Sequence, residues 1–133
     1  MKYVLLGLLI LTGLNLRAET VIYVSERGEK KIVCYKLDEM TGLLTRRSEV
    51  STSGSPGAFI ISDDKKYLYV AVREPNEFVS YSLDPETGDL TEIGKAPACG
   101  GAAYVYLDRS QRWLLAAYFL SLIHISEPTR QSP

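Results

Sequence analysis

Apolar and polar residues alternate most clearly between residues 58 and 94, in four short segments that are separated by turns. Tyr67–Val72 is an unbroken apolar run rich in Val and Tyr, which is typical of a strand covered on both faces. Glu77–Leu83 places an apolar residue at every second position, the pattern of a half-buried strand. Together with Ala58–Ser62 and Leu90–Lys95, these segments predict a four-stranded antiparallel meander.

The turn between the third and fourth segments has a specific chemistry. It reads Asp-Pro-Glu-Thr-Gly-Asp from Asp84 to Asp89. Pro85 presets the backbone angle φ, and the Asp84 side chain can accept a hydrogen bond from the backbone ahead of it. Gly88 tolerates a positive φ. We therefore predict a tight turn that makes the third and fourth strands neighbours.

The meander occurs more than once. A shift of 46 residues lays residues 22–45 over residues 68–91 without a gap and gives eleven identities in 24 positions. A third copy begins at Ala102 and has a strand at Trp113–Tyr118. Four strands in each unit of about 40–50 residues are the signature of a β-propeller. We predict an all-β fold, a β-propeller of four-stranded antiparallel blades, of which this chain holds about two and a half.

The first 18 residues have the pattern of a helical secretory signal peptide. Lys2 supplies a positive start, Val4–Leu14 is an apolar stretch of 11 residues, and Ala18 is a small residue at the expected cleavage point. The apolar stretch is shorter than the roughly 17–25 residues that span a bilayer. We predict export to the periplasm or the extracellular medium. A buried first strand and an uncleaved anchor are the alternatives.

The last residues depart from the repeat. The string SLIHISEPTR, which begins at Ser121, resembles a translated sequencing adapter, and a genuine divergent tail is the alternative. In the adapter interpretation His124, the only histidine, has no function, and the gene continues past Phe119. The predicted organisation is then a signal peptide, a partial propeller and an artefactual tail. Their bounds are 1–18, 19–119 (blades at about 19–51, 52–98 and 99–119) and 120–133.

Composition narrows the classes of function. The 133 residues carry a net charge of −1, and no basic run is present, which gives no support for nucleic-acid binding. Cys34 and Cys99 fall at non-equivalent points of the repeat and are interpreted as reduced thiols, although two residues alone do not decide pairing. No motif for a metal, a phosphate or a catalytic serine is present. We expect no cofactor, no metal, no stable membrane span after signal cleavage, and a monomer when the protein is full length.

Three segments carry a family resemblance. Phe59–Arg73, Tyr81–Asp84 and Thr87–Thr91 resemble the bacterial 6-phosphogluconolactonase family of β-propellers, which also includes a fungal carboxy-muconate lactonising enzyme. The likeness extends over about residues 21–119. One departure is the family's Ser-Pro-Asp-Gly turn, which reads Ser-Asp-Asp-Lys from Ser62 to Lys65 in this chain.

The resemblance implies a ring of about seven blades that opens or forms sugar lactones, with His, Arg and Glu residues around the channel mouth. Most of that cluster lies in later blades, so the catalytic residues are unknown in this chain. Arg73 ends a matching Tyr-Val-x-Val-Arg run, and Arg27 is its copy in the preceding blade. We predict that both bind substrate, because a guanidinium can clamp a carboxylate or phosphate, or stabilise the oxyanion of an opening lactone. The alternative for each is a solvated loop arginine.

The strand order also predicts positions. Arg27 and Arg73 should lie on one face of adjacent sheets, with Asp63–Lys66 on the other, and Tyr69 should be a large buried aromatic.

Two functions remain open. The first is the N-terminal fragment of an exported hydrolase of small sugar lactones, similar to 6-phosphogluconolactonase and inactive as this fragment. The second is a non-catalytic extracytoplasmic propeller of the Tyr-Val-x-Asn repeat kind that binds proteins or glycans. The Tyr-Val pairs at Tyr23 and Tyr69 suit either. The export signal favours a substrate other than the cytosolic phosphosugar.

Overall fold

A computed structural model describes residues 19–119 as nine β-strands in three antiparallel sheets. The predicted signal peptide and the predicted tail lie outside the described residues. Within residues 19–119, no helix is long and apolar enough to cross a membrane. The all-β prediction is confirmed.

The sheets follow one another along the chain, and within each sheet sequential strands are neighbours. The first sheet contains β1 (Thr20–Glu26), β2 (Lys31–Leu37) and β3 (Leu44–Ser51). The second contains β4 (Ser55–Ile61), β5 (Tyr67–Arg73), β6 (Glu77–Leu83) and β7 (Leu90–Pro97). The third contains β8 (Tyr104–Leu107) and β9 (Leu114–Ala117). The second sheet is therefore the predicted four-stranded meander.

Local geometry recurs 46 residues along the chain. Register shifts occur after Cys34 in the first sheet and after Ser80 in the second. Positive φ angles recur at the same spacing, and the pairs are Lys30 (53°) with Asn76 (63°), Gly42 (73°) with Gly88 (75°), and Lys65 (56°) with Gln111 (57°). Residues 46 positions apart can therefore be compared directly between neighbouring sheets.

The predicted turn chemistry at Asp84 is confirmed. Its carboxylate oxygen Oδ1 accepts hydrogen bonds from the backbone N–H groups of Glu86 (2.8 Å) and Thr87 (2.9 Å). The Gly88 N–H donates to the Asp84 carbonyl at 2.8 Å, and Gly88 has a φ of 75°. These bonds lower the pKa of the Asp84 carboxyl. Asp38 forms the equivalent turn in the first sheet.

Large side chains fill the space between the first and second sheets. The fully buried residues of this cluster come mainly from β5 and β6, and they are Ile32, Leu68, Val70, Val72, Val79 and Tyr81. Tyr81 is 0% exposed, whereas Tyr69 is only half-buried and its ring lies beside that of Tyr67. The prediction for Tyr69 was wrong because its side chain points away from this cluster, toward the third sheet.

The fully buried residues between the second and third sheets are fewer and mostly smaller than those between the first and second sheets. The fully buried ones are Ala71, Ala102 and Val105, and the half-buried residues packed against them are both small and large: Ala58, Ile60, Phe78, Leu114, Ala116 and Tyr118. Ala71 lies on β5, next to Val70 and Val72, and therefore faces the opposite way.

Candidate functional site

The loops that carry Arg27 and Arg73 lie side by side. Ser55 pairs with Arg73 across β4 and β5, and its hydroxyl donates to the Arg27 carbonyl at 3.1 Å. Both arginines therefore lie at the edge where the chain enters β4. Asp63–Lys66 follow the other end of β4, so they lie at the opposite edge of the sheets. This is the arrangement that the strand order predicts, and the binding role of the arginines stays a prediction.

The chain that leads into β4 packs directly on the chain that leaves β5. A Cβ atom on Gly54 would lie 2.1 Å from the Glu74 carbonyl oxygen and 2.3 Å from that of Arg73. No side chain fits at such distances, so glycine is required here. The Thr52 hydroxyl fixes the same segment by donating to the Gly54 carbonyl at 2.7 Å. The Arg73 backbone therefore packs closely against this segment.

The Arg73 side chain crosses from the second sheet to the segment that leads into the third. A Cβ atom on Gly101 would lie 3.0 Å from Arg73 Nε and 3.2 Å from both Cγ and Cδ. The arginine stem therefore lies against the Gly101 backbone. Nε is buried and has no hydrogen-bond partner, and no ion pair among residues 19–119 includes Arg73.

Other cations of the first sheet have carboxylate partners. Lys31 Nζ lies 2.6 Å from Glu29 and 3.4 Å from both Glu26 and Glu49. The hydrogen bond from Lys31 lowers the pKa of the Glu29 carboxyl. Arg27 is exposed and, like Arg73, belongs to none of the ion pairs of the described chain. The two loop arginines are therefore left available for an anionic ligand.

A groove of about 990 Å³ lies at the opposite edge, between the first and second sheets. Its walls include Glu19, Asp63, Asp64, Lys65 and Lys66. Ser62 donates to the Asp64 carboxylate at 2.6 Å, which lowers the pKa of Asp64. Neither arginine lies there, and the described residues contain no group of three or more side chains that could hold a metal ion.

The Tyr23 hydroxyl joins the first two sheets at this groove. It donates to the Gly88 carbonyl at 2.6 Å, and burial raises the pKa of Tyr23 to about 12. A Cβ atom on Gly88 would lie 3.0 Å from Val21 and 3.3 Å from Cys34 Sγ. Gly88 is thus required for this contact as well as for its φ of 75°. The sequence had indicated only the second requirement.

The two cysteines are unpaired. Cys34 is buried and Cys99 is exposed, as the interpretation of two reduced thiols expects. Burial raises the pKa of the Cys34 thiol, which makes the reactive thiolate less accessible.

Sequence reasoning identified the arginines but missed the small residues around them. The sequence pattern alone assigned no role to Ser55 or to Gly101. Their spacing of 46 residues, the same as that between Arg27 and Arg73, was the signal that could have linked them.

Comparison with known proteins identifies the fold family. Residues 15–119 match the model of the lactonase family, a seven-bladed β-propeller. A comparison with curated protein sequences gave no match.

Several solved structures share the fold. A candidate 6-phosphogluconolactonase from Bacteroides uniformis superposes with a TM-score of 0.66 and 22% identity, over 73% of this chain and 29% of that protein. One from Bacteroides fragilis gives 0.65 and 20%, over 74% and 31%. The periplasmic gluconolactonase of Pseudomonas aeruginosa gives 0.59 and 17%, over 74% and 25%.

This chain therefore spans less than a third of the length of these structures. The family match covers most of its residues, and the three packed antiparallel sheets agree with it. The chain belongs to the lactonase family of seven-bladed β-propellers.

Proposed function

We propose that this chain is the N-terminal part of an exported sugar-lactone hydrolase similar to 6-phosphogluconolactonase, and that it is inactive by itself. Membership of the lactonase family supports the reaction class. Two relatives of the same fold are candidate 6-phosphogluconolactonases, and a third acts on a gluconolactone. The substrate class is therefore a cyclic ester of a sugar acid.

The observation that carries the proposal is the state of Arg73. Its stem lies against Gly101, its Nε is buried without a partner, and no described carboxylate neutralises it. In lactone hydrolysis water adds to the ring carbonyl, a tetrahedral oxyanion forms, and the ring C–O bond breaks to release a hydroxy acid. A positioned guanidinium can stabilise that oxyanion or bind the carboxylate of the product. Arg27 has the equivalent position and is proposed as a second, weaker contact.

Export is proposed from the first 18 residues, which combine Lys2, an apolar stretch and Ala18. One relative of this fold is periplasmic. Sequencing the N-terminus of the exported protein tests this part. We expect it to begin near Glu19, and recovery of Lys2 in a cytosolic product would contradict it.

The expected inactivity follows from the extent of the chain. It spans between 25% and 31% of the matched structures, and the family's His and Glu residues are expected in later blades. Propellers also bury their core between neighbouring units, so an open arc is a marginal fold.

The test compares this chain with the product of the complete gene in a pH-stat assay of gluconolactone hydrolysis. We expect turnover above the spontaneous rate only for the complete product. In that product Arg73→Ala should lower kcat/KM by about 100-fold, the effect of removing one oxyanion donor. Arg46→Ala, which removes a surface ion pair with Glu49, is the matched control and should change little.

A complete, folded product without turnover would overturn the hydrolase and favour a non-catalytic binding propeller. Turnover by this chain alone would overturn the proposed inactivity.

A further inference from the structure

Arg27 and Arg73 are equivalent in the sequence but differ in their surroundings. They lie 46 residues apart at the ends of equivalent strands: Arg27 directly follows β1, and Arg73 is the last residue of β5. Arg27 is exposed. Arg73 is half-buried, and its Nε is among the buried atoms of the described chain that lack a partner. Something outside the two arginines must therefore cause the difference.

The residues that contact the two arginines from the next sheet also lie at equivalent positions, but they are different amino acids. Ser55 meets the Arg27 loop and donates its hydroxyl hydrogen to the Arg27 carbonyl at 3.1 Å. Gly101, 46 residues later, meets the Arg73 loop. A Cβ atom at Gly101 would lie within 3.0 to 3.2 Å of the Arg73 stem. A side chain at position 101 would therefore press on the stem and displace it.

We propose that Gly101 is a positioning residue, whose missing side chain lets the Arg73 stem cross the boundary between the second and third sheets. Gly101 thereby makes Arg73 the main contact, and Arg27 the weaker one, for the anionic group of the ligand, which we take to be the carboxylate of a sugar acid. The choice of ligand rests on the proposed function. The anchoring of Arg73 rests on the contacts alone.

Anchoring matters because a free arginine loses side-chain entropy when it binds. A stem already fixed against a backbone has less freedom to lose, so it binds the same anion more tightly. Within residues 19–119, Arg73 Nε is a buried atom without a hydrogen-bond partner. The two terminal nitrogens of the guanidinium are not among such atoms. The terminal nitrogens are then the atoms that meet a carboxylate, side by side.

Reciprocal substitutions in the full chain test the anchoring. Gly101→Ser copies the residue found at Ser55, and Ser55→Gly copies the residue found at Gly101. With ¹⁵N-labelled arginine, NMR measures the exchange of each Hε proton with water, and Arg27→Lys and Arg73→Lys assign the signals. We expect Arg73 Hε to exchange at least tenfold more slowly than Arg27 Hε. Gly101→Ser should remove the difference, and Ser55→Gly should slow Arg27.

Gly94→Ser is the matched control, because no atom of the described chain lies within 4 Å of a Cβ atom there. It should leave both exchange rates unchanged. If Gly101→Ser does not fold, as judged by its amide spectrum, the gain of protection at Arg27 in Ser55→Gly decides the question. Equal exchange of the two Hε protons in the unsubstituted chain, or no change in either swap, would overturn the anchoring.

Titration with D-gluconate tests the ligand in the same samples. We expect the Arg73 signals to shift more than those of Arg27, and Gly101→Ser to weaken the apparent affinity at least tenfold. If Arg73 Hε exchanges slowly but gluconate does not shift its signals, the proposed anchoring of Arg73 is retained and the proposed carboxylate ligand is overturned. Equal gluconate affinity before and after Gly101→Ser would overturn the link between anchoring and binding.

Discussion

The second sheet packs on its two neighbours in different ways. Toward the first sheet it presents Leu68, Val70 and Val72 from β5 and Tyr81 from β6, all of them fully buried. Toward the third sheet the same strand β5 presents Ala71, which meets Ala102 and Val105. The strand β5 therefore supplies three large, fully buried side chains to one interface. To the other it supplies the buried Ala71, with the half-buried Tyr69 on the same face.

This difference separates stability from positioning. Large buried side chains remove more apolar area from water, at about 25 cal/mol per Å², so the first interface should contribute most of the stability. The second interface has fewer fully buried residues, and it is the one where Arg73 lies against Gly101. The candidate site thus lies at the interface with fewer fully buried side chains, and each prediction below tests that division between stability and positioning.

The largest effect is expected at Tyr81. Tyr81→Ala should lower the free energy of unfolding by about 3–5 kcal/mol, the range for truncating a large buried aromatic. Tyr81→Phe should leave stability unchanged or raise it, because the Tyr81 hydroxyl is buried without a partner. Urea denaturation measures both. A loss for Tyr69→Ala as large as that for Tyr81→Ala would contradict the assignment of stability to the first interface.

Alkaline pH should weaken the first interface. Burial raises the pKa of Tyr23 and of Tyr81 to about 12, whereas a tyrosine in the unfolded chain ionises near pH 10. The unfolded state therefore loses these protons first, so the stability that these two groups contribute is fully present below about pH 10 and is lost as pH rises toward about 12. Tyr23→Phe and Tyr81→Phe should each reduce this fall. Tyr106→Phe, at an exposed site, is the control and should not.

Overpacking should disturb the second interface by less. Ala71→Leu should cost about 1–3 kcal/mol, and the wider separation of the sheets should also speed the exchange of Arg73 Hε. Denaturation and NMR measure the two effects in the same variant. A loss of stability with unchanged Arg73 exchange would show that the arginine does not depend on this packing.

A smaller effect is expected for the hydrogen bond between the first two sheets. Tyr23→Phe removes the donor to the Gly88 carbonyl and should cost about 0.5–1.5 kcal/mol. Tyr35→Phe is the matched control, since no described residue hydrogen-bonds its hydroxyl. If urea denaturation gave the same loss of unfolding free energy for both variants, the Tyr23 hydrogen bond would not stabilise the first interface.

The smallest effects on stability are expected at the arginines. Arg27→Ala and Arg73→Ala should each change the free energy of unfolding by less than about 0.5 kcal/mol, as surface substitutions usually do. For Arg73→Ala, the packing of the arginine stem is lost. This loss is offset because the substitution also removes Nε, a buried donor without a hydrogen-bond partner. If Arg73→Ala alone destabilised the chain markedly, the residue would be structural, and its proposed role in binding would lose its main support.

Strands and turns could be predicted from the sequence, whereas the contacts between sheets could not. Alternation of apolar residues indicated β6, and Asp84 and Gly88 indicated their turn, because these features depend on residues that are neighbours in the chain. Tyr69 was misplaced because β5 is apolar on both sides, so its sequence does not show which side faces the larger residues. The role of Gly101 depends on the distance between two sheets, which no local pattern encodes.

The hydrogen bond from Tyr23 to Gly88 also bears on how the chain folds as it is made. Donor and acceptor are 65 residues apart, and synthesis proceeds at about 5–20 residues per second. The acceptor therefore leaves the ribosome several seconds after the donor, and so do Leu68, Val70 and Tyr81, which cover the apolar face of the first sheet. Until then the first sheet is exposed to chaperones and to other nascent chains. Each sheet is completed by the one synthesised after it, so the order of synthesis sets the order of assembly.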